Sequence, residues 1–182
     1  MHRRLLPLPA LILALSLLPA AARADDPTTC HNGSGEVAIA ACNRAIASGQ
    51  FIGIELAKLH TSRGVELKRK GDLDGAIKDY DIAIALNPND LFAFNNRANT
   101  WRDKGNFEQA IADYGAAIKL DADYAAAYIN RGLVYERRKE LALARADFKA
   151  ALATPPQKYN NSRGAHQIAR ERLAVLAKIL PE

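Results

Sequence analysis

The chain has 182 residues, 49% apolar and 25% charged, enough for one domain with a real core and unlike a disordered tail or a collagen-like chain. Its 25 Lys and Arg against 20 Asp and Glu give a formal charge of +5. Three of the basic residues, Arg3, Arg4 and Arg23, lie in the first 24 positions, where no acid occurs; 25 less these three leaves 22 against 20. The near-neutral remainder removes the main support for electrostatic binding to nucleic acid, and no nucleic-acid partner is expected.

Residues 1–24 read as an address. His2-Arg3-Arg4 forms a positive end, Leu5 to Leu18 an apolar run, and Ala22-Arg23-Ala24 a small-x-small cleavage pattern before Asp25-Asp26-Pro27. This is the layout of a secretory signal, and it predicts a periplasmic or secreted protein cut after Ala24. The competing reading is a membrane anchor. Leu5 to Ala22 spans 18 residues, the short end for a hydrophobic core of ~30 Å, and Pro7, Pro9 and Pro19 interrupt it. No later stretch is apolar enough to span, so no membrane insertion is expected after cleavage. An exported chain meets oxidising conditions, and the only two cysteines, Cys30 and Cys42, are twelve apart. A disulfide between them is expected; the alternative is a buried Cys42 and a free surface Cys30.

A 34-residue period organises most of the remaining chain, in blocks 57–90, 91–124 and 125–158. Small residues recur at Gly64, Ala98 and Gly132, at Ala76, Ala110 and Ala144, and at Ala83, Ala117 and Ala151. Large ones recur at Leu67, Trp101 and Tyr135, at Leu73, Phe107 and Leu141, and at Tyr80, Tyr114 and Phe148. Two helices per block must approach closely at the small residues while the large ones fill the gaps. Gly71 and Gly105 stand where a first helix must stop. Pro88, the only proline between Thr28 and Thr154, falls between helices.

These spacings resemble the tetratricopeptide repeat, a helix–turn–helix unit with a W-x2-L-G-x2-Y, A-x3-F and P signature. The carrying residues are Gly64/Leu67 with Ala76/Tyr80/Ala83/Pro88, then Ala98/Trp101 with Ala110/Tyr114/Ala117, then Gly132/Tyr135 with Ala144/Phe148/Ala151/Pro156. Lys139 replaces the turn glycine of the third block and Ala122 the proline of the second. The resemblance implies an all-α right-handed superhelix. Residues 25–56 form a stapled leading segment, in which 36–47 copies a second helix of the repeat with Cys42 in the tyrosine place. Residues 57–158 carry three repeats. Residues 159–182 supply a capping helix, with Ala165, Ile168, Ala169, Leu173, Leu176, Ile179 and Leu180 as an apolar stripe over the exposed end.

The chain carries few residue patterns that imply chemistry. His31, His60 and His166 are scattered, no two at metal-ligand spacing, and no nucleophile elbow or phosphate-binding loop occurs. A non-catalytic protein without cofactor or metal is expected. Arg63, Arg97 and Arg131 recur with Asp79, Asp113 and Asp147 at the same period. They suit a structural ion pair in each unit; the alternative is an arginine row gripping an acidic ligand.

Ser62, Asn96 and Asn130 form a second recurring set. In the family resembled, first helices line a concave surface, and an Asn at this place bonds the backbone of an extended peptide, an amide offering donor and acceptor together. Phe92, Asn95, Asn99, Ile129 and Leu133 share that face by i+3/i+4 spacing, and Lys58, Arg69 and Arg102 add charge at its rim. Thr61, Val65 and Ala126 occupy three places where the family clamps a C-terminal carboxylate with basic and polar groups, so a tail clamp is not expected. The reading is an interaction module that binds another protein, as an extended peptide or a helix, in the groove. Its rival is a structural or homo-oligomeric scaffold using end or convex faces.

Overall fold

The structure is a computed structural model that describes residues 25–179. The signal segment expected at 1–24 and Leu180 of the capping stripe lie outside the described residues. Among the described residues nine α-helices and no strand occur: α1 (Asp26–Asn32), α2 (Gly35–Ala47), α3 (Gly53–Lys70), α4 (Leu73–Leu86), α5 (Leu91–Asp103), α6 (Phe107–Leu120), α7 (Ala125–Arg137), α8 (Leu141–Ala153) and α9 (Ser162–Leu176). Each pair α3–α4, α5–α6 and α7–α8 falls within one 34-residue block. The odd helices also touch one another in a continuous row, α1 to α3, α5, α7 and α9, whereas α4, α6 and α8 make no such mutual contacts. A stack whose first helices crowd while its second helices splay must curve, with the first helices on the inside. This is the expected all-α superhelix.

The turns follow the residues that punctuate them. Gly71 and Gly105 take left-handed φ of 92° and 84°, and Lys139 takes the same conformation at 65°. The third turn therefore keeps its shape without glycine, at the steric cost a Cβ meets there. Asp72 and Asp90 cap the next helices by accepting from Gly75 N–H and from Phe92 and Ala93 N–H.

Between paired helices the small residues work as their period predicts. A Cβ on Gly64 would lie 2.8 Å from the Tyr80 ring, and one on Gly132 2.7 Å from Phe148. Ala98 stands at that position opposite Tyr114, and all three large rings are fully buried. The recurring Arg and Asp pair as structure. Arg63, Arg97 and Arg131 each hold Asp79, Asp113 and Asp147 through Nε and Nη2, at 2.7–2.8 Å. Arg63 also reaches Asn43 on α2 and Arg97 reaches Asp81 on α4, so these two cations tie each unit to the one before it. In all three units Nε and Nη2 are thus taken up inside the unit, and Arg63 and Arg97 commit their third nitrogen as well.

The leading segment contains one helix more than expected. The short α1 starts with Pro27 in its first turn and packs on α2 and α3, bringing Cys30 into a disulfide with Cys42. Buried Asp26 accepts from Arg44 on α2, at 3.1 Å from Nε and 2.5 Å from Nη2. This pair reverses the polarity of the repeats, with the acid on the first helix. A seven-residue helix lacks a hydrophobic period long enough to read, and disulfide and ion pair replace propensity in holding it. At the other end α9 lies against both α8 and α7 and buries Ala165, Ala169 and Leu176 as a cap.

Candidate functional site

The inner wall formed by α1, α3, α5, α7 and α9 holds several clefts among the described residues, and two of them gather side chains expected to bind. The first, of about 480 Å³, opens between α3 and the α4–α5 corner and is lined by His31, Lys58, Thr61, Ser62, Asp90 and Phe92 among others. His31 comes from α1, and its Nδ1 lies 2.7 Å from Ser62 Oγ. Burial pushes this imidazole below its ordinary value, with Lys58 adding to the effect and Glu55 opposing it. The cleft mixes charges of both signs.

The second cleft, of about 410 Å³, is uncharged. Helix α5 contributes Asn95 and Asn99, α7 contributes Ala126, Ile129 and Asn130, and the α8–α9 corner adds Asn160, Asn161 and Ile168. Five asparagine amides thus face one opening with small apolar surfaces between them. Three of the amides have fixed partners. Asn130 Nδ2 donates to Asn95 Oδ1 at 3.2 Å, and the Tyr114 hydroxyl, rising from α6, donates to Asn99 Oδ1 at 2.7 Å.

A strap separates the two clefts. The chain between α8 and α9 folds back so that Tyr159 Oη donates to Asp121 Oδ2 at 2.5 Å, and Lys158 Nζ lies 2.9 Å from both Asp121 and Asp123. Hydrogen bonds from Tyr159 and then Lys158 bring the Asp121 carboxyl down to about 2. The rings of Phe92, Tyr124 and Tyr159 meet edge to face at 5.0–6.0 Å.

The second cleft gathers Asn95, Asn99, Ile129 and Asn130 from the sequence-predicted set, and the first gathers Lys58 and Phe92. Asn96, about 100° around the helix from Asn95, lines neither. Leu133 packs into the core that α7 shares with α9, because the cap covers that end of the inner face. Ile129 is itself buried and shows the cleft only an edge. Phe92 is 47% exposed, braced by two tyrosines. Of the rim charges, Lys58 pairs with Glu55, Arg69 with Glu66 on the wall below α1, and Arg102 with Asp103. Sequence reasoning missed His31, Asn160, Asn161 and Ile168. They lie outside the 34-residue register, and only the pairing of asparagines at 160–161 marked the corner.

Profiles of repeat families agree with this architecture. One described as "Tetratricopeptide repeat" matches 57–90 and 125–158, and one described as "TPR repeat" matches 98–139. Together they span more than half of the chain, and the two matches of the first coincide with the blocks that hold α3–α4 and α7–α8. The chain belongs to the tetratricopeptide repeat family. Among solved tetratricopeptide domains, the TPR2B domain of yeast Sti1, in a complex with pHsp70, is 28% identical, with a TM-score of 0.61 over 68% of this chain and 98% of that one. The second TPR domain of human RPAP3, in complex with the HSP70 peptide SGPTIEEVD, is 26% identical, with a TM-score of 0.55 over 64% and 91%. The first TPR of Spaghetti (RPAP3), bound to HSP90 peptide SRMEEVD, shares the fold at 22% identity, with a TM-score of 0.62 over 74% and 100%. No curated protein matches the sequence.

Proposed function

We propose that this tetratricopeptide protein is a non-catalytic interaction module that holds an extended peptide segment of a partner protein in its concave groove. The observation that carries the reading is the second cleft, where five amides and no charge line one opening. An extended peptide exposes a donor and an acceptor at every residue, and asparagine answers both without selecting a side chain. The yeast Sti1 and human RPAP3 domains, solved with Hsp70 ligands, make peptide capture by this fold the natural comparison. The ligand class differs from an acidic tail, because Thr61, Val65 and Ala126 stand in carboxylate-clamp places. We further read the chain as exported, with residues 1–24 removed.

Selection against a displayed random-peptide library tests the groove. Ile168 is 38% exposed on the cleft's far wall, so Ile168→Glu should leave the fold intact, and a carboxylate placed in the cleft should abolish capture. Equal capture by wild type and Ile168→Glu would remove the cleft from the binding surface. A second reading rests on the leading end, where Ile52 is 80% and Val37 67% exposed: an end face used for self-association. Light scattering of wild type against Ile52→Glu/Val37→Glu decides it, since only an end-face scaffold would change mass.

A further inference from the structure

We propose that Tyr114 is a positioning residue for the amide cleft: by donating to the Asn99 oxygen it turns the Asn99 nitrogen toward the ligand, as Asn130 does for Asn95, which makes the cleft a receptor for main-chain carbonyls of an uncharged, extended peptide segment. This rests on the groove reading above and deepens it by assigning polarity to the site.

A free asparagine amide can rotate to offer either its oxygen or its nitrogen, so a row of asparagines has no intrinsic preference for carbonyl or N–H ligands. Here two of the oxygens are already committed. Asn99 Oδ1 accepts from the Tyr114 hydroxyl at 2.7 Å and Asn95 Oδ1 accepts from Asn130 Nδ2 at 3.2 Å. Neither Nδ2 has a protein partner among the described residues, and both side chains line the opening. The two amides are therefore fixed as donors. Asn130, having given a hydrogen to Asn95, keeps its oxygen as the acceptor of the group. Burial holds the Tyr114 phenol far above its ordinary value, so the hydroxyl stays protonated at any working pH.

The neighbouring repeats show that this is a property of one repeat and not of the fold. At the Asn99 place the first repeat has Val65 and the third Leu133, neither able to accept a hydrogen bond. The Tyr80 hydroxyl of the first repeat is buried without a hydrogen-bond partner, and the third repeat carries Phe148, with no hydroxyl at all, fully buried against Gly132. The ring alone satisfies the packing. The hydroxyl of Tyr114 does something further, and its one side-chain acceptor on the inner wall is Asn99. No Lys or Arg lines the cleft, so a carboxylate seated there would lose its water without a counter-charge. Main-chain carbonyls carry no such penalty, and Ala126, Ile129 and Ile168 leave only small apolar contacts for the side chains between them.

The test uses the chain labelled with 15N in its asparagine side chains and two peptide pools of random uncharged nonapeptides, one acetylated and C-terminally amidated, the other with free C-terminal acids. The amidated pool should shift the Asn95 and Asn99 NH2 signals of the wild type. Tyr114→Phe should keep the wild-type melting temperature yet bind about threefold to tenfold more weakly, the loss of one oriented hydrogen bond. Asn99→Asp, which keeps the acceptor for Tyr114 but removes the outward donors, should lose at least as much, and it carries the test if Tyr114→Phe proves unstable. Wild-type signals that ignore both pools overturn the groove reading and this inference together. Binding by Tyr114→Phe equal to wild type, with the fold intact, overturns the positioning role alone. Preference for the free-acid pool overturns the assignment to internal, uncharged segments.

Discussion

The Arg97 guanidinium grips the Asp113 carboxylate with two hydrogen bonds of 2.7 and 2.8 Å and extends its third nitrogen 2.6 Å to Asp81 of the preceding unit. One side chain thus closes its own helix pair and docks it on the next. Asp113→Ala leaves that cation partly buried and half paired, and should cost about 2–3 kcal/mol by thermal or urea unfolding, below the figure for a fully buried pair. Arg131 lacks the inter-unit arm, because Gly115 stands where Asp81 does, and a Cβ there would lie 3.5 Å from Arg131 Nη1. Gly115→Asp should supply the arm and relieve a mid-helix glycine, adding about 0.5–1.5 kcal/mol.

Two positions where the repeat pattern is broken should respond to restoring it. Lys139 holds a left-handed φ of 65°, so Lys139→Gly should stabilise by about 0.5–1 kcal/mol. Ala122 is exposed and follows Asp121, whose φ of −148° and ψ of 109° suit a residue before proline. Ala122→Pro should add about 0.4–1 kcal/mol by stiffening the unfolded chain. Differential scanning calorimetry of the two single variants checks both signs.

Acid should weaken the first repeat in a defined window. Burial alone would raise the Asp79 proton affinity, but hydrogen bonds from Arg63 and His60 outweigh it and hold the carboxyl below its ordinary value. The folded chain then binds this proton less tightly than the unfolded chain. The stabilisation is complete above about pH 4, the ordinary carboxylate value, and drains away as pH falls through the folded value. Asp79→Asn should therefore melt below wild type at pH 7, with the gap narrowing below about pH 4.

Breaking the Cys30–Cys42 disulfide should act locally. The twelve-residue separation corresponds to about 3 kcal/mol on the chain-entropy account, and the segment it pins is the short α1. In Cys30→Ser/Cys42→Ser, hydrogen exchange should accelerate through 26–32 while α5 to α8 keep wild-type protection. Loss of protection throughout the stack would make the leading segment part of the folding unit.

The sequence by itself determined the repeat units, because a 34-residue recurrence of small and large residues has one economical solution: helix pairs whose Gly64, Ala98 and Gly132 admit the rings of Tyr80, Tyr114 and Phe148. It also determined the Arg–Asp pairs, whose register is local to each block. Tertiary structure decided the site. Which side of α5 opens to solvent depends on curvature, and Asn95 and Asn99 face the second cleft while Asn96, adjacent in sequence, does not. Leu133 left the groove because α9 crosses to α7, a long-range choice that no period encodes. The same crossing brings Asn160, Asn161 and Ile168 opposite Asn95, more than 60 residues away in sequence. The polarity of the amides was settled last, by single contacts from Tyr114 and Asn130. Periodicity reports which residues share a face of one helix; only packing between helices reports what stands across from them.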